Sequence, residues 1–257
     1  MRGWWLAIAA LGCGADGAPL PTARPLATTP RLAPTLATAP TPPPRATVAS
    51  RLAQYGAAAR ARLADDFDRA GVAYPPRALT LIAIKDEARL EVWARGDAAW
   101  AWIADYPVLA ASGDAGPKLR EGDGQVPEGS YAIDWLNPNS AYHLSMHVDY
   151  PNAFDRAQAA TDGRTALGGD IMIHGDAVSV GCLAMGDPAI EELFTLVADS
   201  AGAAGLWLDA ATRAPRVRAL LVPTDLRVRA ATPRADAPPW TAALYRELRG
   251  ELAAFTR

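Results

Sequence analysis

The sequence predicts a mainly β domain with flanking helices, an α+β fold. Three observations carry that reading. Short apolar runs with turn signals between them recur from Leu79 to His174 and again at Val217 to Val222. Long segments with apolar residues three and four apart occur near both ends of the region, at 48–70 and 240–255. Half of the 257 residues are hydrophobic, enough for a substantial core.

The elements follow in order. Arg2 and the apolar stretch Trp4–Leu11, ending in Ala10-Leu11-Gly12-Cys13, have the layout of an export signal over residues 1–13. The last four residues are similar to a bacterial lipoprotein cleavage box with Cys13 as the lipidated residue, although Ala10 stands where a larger aliphatic is usual. A plain cleaved signal with an incidental Cys13 is the other reading. The apolar run is far shorter than the ~20 residues needed to span hydrocarbon, so any membrane attachment would come through a lipid anchor. Residues 14–47 carry nine prolines among Ala and Thr and read as an extended linker that cannot build a core.

Over 48–75 the repeat Leu52, Tyr55, Ala59, Leu63, Phe67 predicts an amphipathic helix ended by Gly71 and Pro75-Pro76. Residues 76–225 form the expected main folded domain. Leu79–Ile84, Arg89–Arg95 and Ala98–Tyr106 read as an antiparallel meander, with Trp93 breaking the alternation of the middle strand. A Gly- and Pro-rich loop spans 111–130. Strands are expected at Tyr131–Asp134, Tyr142–Val148, Leu167–His174 and Val217–Val222, and a helix at Pro188–Ala198 with Asp187 as its N-cap. Residues 226–257 form a helical extension.

Composition narrows the function. A net charge of −3 without a dense Lys/Arg cluster argues against a nucleic-acid partner. Two cysteines, Cys13 and Cys182, rule out a disulfide scaffold. The informative segment runs from Ile171 to Met185. An apolar strand delivers His174, Gly175 follows, and a short loop leads to Ser179-Val180-Gly181-Cys182. A cysteine nucleophile acts as its thiolate, and a neighbouring imidazole can take the proton. Backbone N–H groups around Gly181 and Cys182 are candidates to hold an oxyanion, an interaction worth ~3 kcal/mol of barrier.

This segment resembles the YkuD-type L,D-transpeptidase signature, His-Gly followed by Ser/Thr-x-Gly-Cys, and is most similar to its YafK-like murein branch. Leu90-Glu91-Val92-Trp93, Tyr106-Pro107, Gly116-Pro117-Lys118, Gly122-Asp123, Pro127–Tyr131 and Tyr150–Arg156 carry the same resemblance, over about residues 79 to 200. It implies an L,D-transpeptidase-like β-sandwich or barrel and a metal-free, cofactor-free thiol mechanism. Cys182 then matches the acylated nucleophile and His174 the general base. Ser179, Gly181 and Gly175 match the motif loop and its oxyanion donors. Peptidoglycan stem peptides are the implied substrates, and the location is the periplasm or cell envelope. Ala184 departs from the family, where an Arg is usual two residues after the Cys. That agrees with the YafK-like branch, in which hydrolysis of the amide between peptidoglycan and a wall-attached lipoprotein is implied for some members.

His143, His147, Glu128 and Tyr142 are substrate-contact candidates. Plain structural roles for the two histidines, and a zinc site built from His143, His147, His174 and Cys182, are the competing readings. A non-catalytic wall-binding module that keeps the fold is the remaining alternative.

Overall fold

The computed structural model describes residues 45–96, 99–201 and 215–257. The export signal with Cys13, and the linker as far as Pro44, lie outside the described residues. The fold is α+β. Among the described residues, eight strands, β1 (Ala78–Ile84), β2 (Arg89–Arg95), β3 (Trp100–Pro107), β4 (Gly129–Asn137), β5 (Ser145–Val148), β6 (Ile171–His174), β7 (Leu183–Ala184) and β8 (Val217–Val222), form one mixed sheet in the order β3-β2-β1-β8-β4-β5-β6-β7, accompanied by four α-helices.

Helix α1 (Val48–Ala70) is opened by a capping box between Thr47 and Ser50 and closed by Gly71 in the left-handed conformation. Its stripe of Ala59, Leu63 and Phe67 is buried. Strands β1 (Ala78–Ile84), β2 (Arg89–Arg95) and β3 (Trp100–Pro107) form the expected antiparallel meander. Trp93 is fully buried and meets Phe255 at 5.5 Å between ring centroids. The broken alternation of β2 thus has a cause. The tail helix α4 (Thr241–Leu252) covers the second face of the sheet and creates a second apolar cluster of Ile82, Trp93, Leu220, Leu244, Leu248 and Phe255. Residues of β1, β2 and β8 are therefore buried on both sides.

Strand β8 (Val217–Val222) lies parallel to β1 and antiparallel to β4 (Gly129–Asn137), joining the meander to the half of the sheet that matters for chemistry. There β4 pairs with β5 (Ser145–Val148), β5 with β6 (Ile171–His174), and β6, in parallel, with the two-residue β7 (Leu183–Ala184). The side-chain rows of this half alternate, apart from a bulge in β4 between Ile133 and Trp135. Leu136, Met146, Ile173 and Leu183 point into the main core, and the rows between them face outward.

One expectation is corrected, and one element is new. Strand β5 begins at Ser145, not at Tyr142, and His143 has φ +67 in the preceding turn, so His143 and His147 do not share a strand face. A helix without a sequence expectation, α2 (Ala153–Thr161), follows Asn152, whose side chain accepts from the N–H groups of Phe154 and Asp155 in a capping box. Helix α3 (Asp187–Ala201) packs against α1. No helix among the described residues is long and apolar enough to cross a membrane.

Candidate active site

Strand β6 ends at His174, and register pairs that residue with Ser145 on β5 and Ala184 on β7. Cys182 directly precedes β7 and therefore flanks Met172, whose N–H donates to Cys182 Sγ at 3.3 Å. Met172 and His174 are two apart on one strand, so their side chains share its outward face. The sheet thus sets imidazole and thiol beside one cavity of about 360 Å³, whose walls include Tyr142, Ser145, Asp170, Met172, His174 and Cys182.

Small residues fix the loop between them. Gly175 donates its N–H to the carbonyls of Tyr142 and Leu144, and a Cβ there would lie 2.7 Å from Asp187 Oδ1 and 2.8 Å from Tyr142 O. Asp187, at the start of α3, holds the loop by accepting the Asp176 N–H at 2.8 Å. Gly181 takes φ +81, a left-handed conformation that a side chain disfavours.

The hydrogen bonds define the protonation of the site. His174 Nδ1 lies 2.6 Å from the Gly175 carbonyl, which can only accept, so Nδ1 carries the proton and Nε2 is bare. Nε2 faces the Ser179 hydroxyl at 3.4 Å, and Ser179 Oγ accepts the Cys182 N–H at 3.2 Å. Ser179 therefore links the imidazole to the backbone of Cys182. The thiol points elsewhere, toward the Asp170 carbonyl at 3.7 Å. Burial lowers the His174 pKa, opposed by its bond to Gly175. Burial raises the Cys182 pKa, opposed by the Met172 N–H and the positive field of Lys118. Both shifts favour the neutral forms.

The two N–H groups expected to face an oxyanion are engaged inside the protein. That of Cys182 is held by Ser179, and that of Gly181 donates to Ser112 Oγ at 2.6 Å while Ser112 donates to the Gly124 carbonyl at 2.5 Å. Ser112, in the 111–130 loop, thus clamps the motif loop. Nothing in its sequence context, between Ala111 and Gly113, marks it, and only the fold reveals the contact.

Of the remaining candidates, Tyr142 joins the site, with its ring 4.7 Å from that of His174 and its side chain part-exposed. Glu128 does not. It is buried, paired with Lys85 at 3.0 Å, and it accepts from Gly116 N–H and Tyr245 OH. This carboxylate ties the 111–130 loop to the tail helix, which corrects its reading as a substrate contact. His143 turns away to Glu191 at 3.1 Å and to the ring of Tyr55. His147 bonds Asp134 at 2.6 Å and stacks on Trp135. Neither lines the Cys182 cavity. The zinc constellation is not assembled, because each histidine has a separate partner.

A family model described as the L,D-transpeptidase catalytic domain matches residues 79–214, more than half of the sequence. The chain belongs to the L,D-transpeptidase catalytic-domain family. It is 36% identical over 115 residues to the Escherichia coli K12 protein named "Putative L,D-transpeptidase YafK", a match covering 44% of each chain, so less than half of that relative's length is spanned. Among solved structures it is similar to the helical cell shape determining protein Pgp2 of Campylobacter jejuni, at 21% identity over 65% of this chain and 56% of that one, with a TM-score of 0.45. Mycobacterium tuberculosis L,D-transpeptidase 1 matches 56% of this chain and 62% of its own at 15% identity, with a TM-score of 0.29. Within this L,D-transpeptidase domain, His174 ends β6, and Gly175, Ser179, Gly181 and Cys182 lie in the loop that leads from it to the parallel strand β7.

Proposed function

We propose that this domain performs cysteine-dependent acyl transfer on peptidoglycan stem peptides in the cell envelope. The observation that carries the reading is the cavity that His174 and Cys182 both line, with the bare Nε2 of His174 facing the Ser179 hydroxyl of the same cavity wall. Cys182 Sγ attacks the carbonyl carbon of an amide beside meso-diaminopimelate as its proton passes to His174 Nε2. The C–N bond breaks, His174 returns the proton to the departing amine, and a thioester remains on Cys182. An incoming amine or a water then releases the acyl group and restores the thiol. The Gly181 and Cys182 N–H groups serve the oxyanion once the Ser112 and Ser179 hydroxyls give them up.

A second reading has its own support. Ala184 is fully buried and leaves the usual Arg position without a charged side chain, as in the YafK-like branch, for some of whose members hydrolysis of the amide between peptidoglycan and a wall-attached lipoprotein is implied. Intact-mass analysis with a carbapenem tests the shared chemistry. A single adduct is expected on the wild type with Cys13→Ser and none with Cys182→Ala. Lack of an adduct on the former would favour a non-catalytic wall-binding module. Muropeptide profiles of treated sacculi then separate new cross-links from hydrolysis.

A further inference from the structure

The outward face that presents Cys182 continues across the sheet. Register places Met172 beside Cys182, His147 opposite Met172, and Trp135 opposite His147, one residue from each of four adjacent strand positions. The register of β4 against β5 shifts between Ile133 and Trp135, and this bulge leaves the consecutive residues Asp134 and Trp135 both exposed. A bulge beside an active site re-aims side chains in this way. Trp135 stacks on His147 at 5.2 Å with 24° between the rings, and Asp134 fixes that imidazole through Nδ1 at 2.6 Å. Trp135 remains 40% exposed, and the Asp134 carboxylate beside it in the chain is also open to solvent. His147 and Asp134 also wall a depression of about 690 Å³ that extends to Asn152 and Arg156 at the start of α2.

We propose that Trp135, with His147 and Asp134, is a platform for a sugar ring of the glycan strand that carries the stem peptide. The proposal rests on the stem-peptide reading of the Cys182 site. Flat aromatic faces bordered by carboxylates suit sugars, whose C–H faces stack and whose hydroxyls donate. Spacing supports this occupant. Three interstrand steps of about 4.8 Å place Trp135 roughly 14 Å from Cys182. A stem from its sugar to the carbonyl at the third residue covers about 11 Å at ~3.5 Å per residue, and the lactyl bridge and γ-linked glutamate add a few ångström. The same enzyme surface therefore reaches both the reacting carbonyl and the sugar that bears it, and the glycan strand lies across β4 and β5.

The test is calorimetric titration of the full chain carrying Cys182→Ala, which binds without turnover. Two soluble ligands are compared: the stem tripeptide, and the same tripeptide on its disaccharide. The sugar-bearing ligand is expected to bind roughly three- to tenfold more tightly. Trp135→Ala removes that advantage and leaves tripeptide affinity unchanged, while Trp135→Phe keeps most of it. Should Trp135→Ala not fold, Trp135→Leu serves the same comparison by keeping apolar bulk without the flat face. Equal affinities of the two ligands for the Trp135 protein, or an advantage that survives loss of the aromatic face, overturns the platform alone. Failure of both ligands to bind overturns the stem-peptide reading and the platform with it.

Discussion

In the free protein the proton belongs on the Cys182 sulfur, and the pH dependence of its alkylation measures this. The thiol points to the Asp170 carbonyl, and burial shifts it upward while burial shifts His174 downward. An ordinary cysteine, with a pKa of about 8.5, is about 3% thiolate at pH 7, so Cys182 lies below that fraction. Well below the pKa, thiolate rises tenfold per pH unit. The second-order rate of labelling by iodoacetamide should therefore climb nearly a hundredfold from pH 6 to pH 8. The assay is intact-mass kinetics on the chain with Cys13→Ser, so that one thiol reports. A resting thiolate–imidazolium pair would instead hold the rate nearly flat across that interval. A flat profile would refute the neutral-pair reasoning and place the charge separation before substrate arrives.

Glu128→Ala leaves the buried Lys85 ammonium without its carboxylate and should cost about 3–5 kcal/mol in urea unfolding, whereas a substrate-contact role would leave stability unchanged. Ser112→Ala strips the acceptor from Gly181 N–H and should cost about 1–3 kcal/mol on the same measurement. Gly181→Ala should cost about 1–2 kcal/mol through its φ of +81 alone, because a Cβ there meets nothing nearer than Gln125 O at 3.9 Å. Asp155 is pushed up to about 6, chiefly by burial. A carboxyl raised in the fold contributes stability below its unfolded pKa of about 3.9 and loses it as pH rises toward 6. The stability of the wild type relative to Asp155→Asn should therefore fall by about 2–3 kcal/mol between pH 4 and pH 7.

The legible parts of the sequence were those governed by local pattern. Periodicity marks α1, the β1–β3 meander and β8, and the Gly-flanked Ser-x-Gly-Cys segment marks the candidate site, which lines a cavity with His174. The misreadings came from residues whose role depends on distant partners. Glu128 stands in a loop among glycines and prolines and looks solvent-facing, yet Lys85 and Tyr245 arrive from 43 and 117 positions away to bury it. Tyr142-His143-Leu144 has the alternation of a strand, but the close approach of Gly175 to the Tyr142 carbonyl belongs to a turn, and His143 adopts the left-handed conformation there. Trp93 appeared to break its strand's pattern because the tail helix that covers it lies some 150 positions later. Helix α2 did have a local signal, Asn152 with Asp155 three residues on, hidden behind Tyr150-Pro151.

The arrangement of hydroxyls in the site bears on how the proposed reaction would start. Ser112 and Ser179 each accept an N–H that an oxyanion would otherwise claim, and Ser179 also faces His174 Nε2. A neutral hydroxyl is a weaker acceptor than the charged oxygen of a tetrahedral intermediate, since hydrogen bonds to charged groups are roughly twice as strong. The exchange is therefore unfavourable for a ground-state carbonyl and favourable only once charge develops, which is the differential binding that lowers a barrier. The hydroxyls also keep these part-buried donors satisfied between turnovers, when an unpaired N–H would cost about 1–3 kcal/mol. On this argument Ser179→Ala should leave the affinity for a stem peptide unchanged while altering the rate of acylation, because its hydroxyl competes for an N–H that substrate needs only in the transition state. A loss of binding with an unaltered acylation rate would show that Ser179 holds substrate instead of guarding the donor.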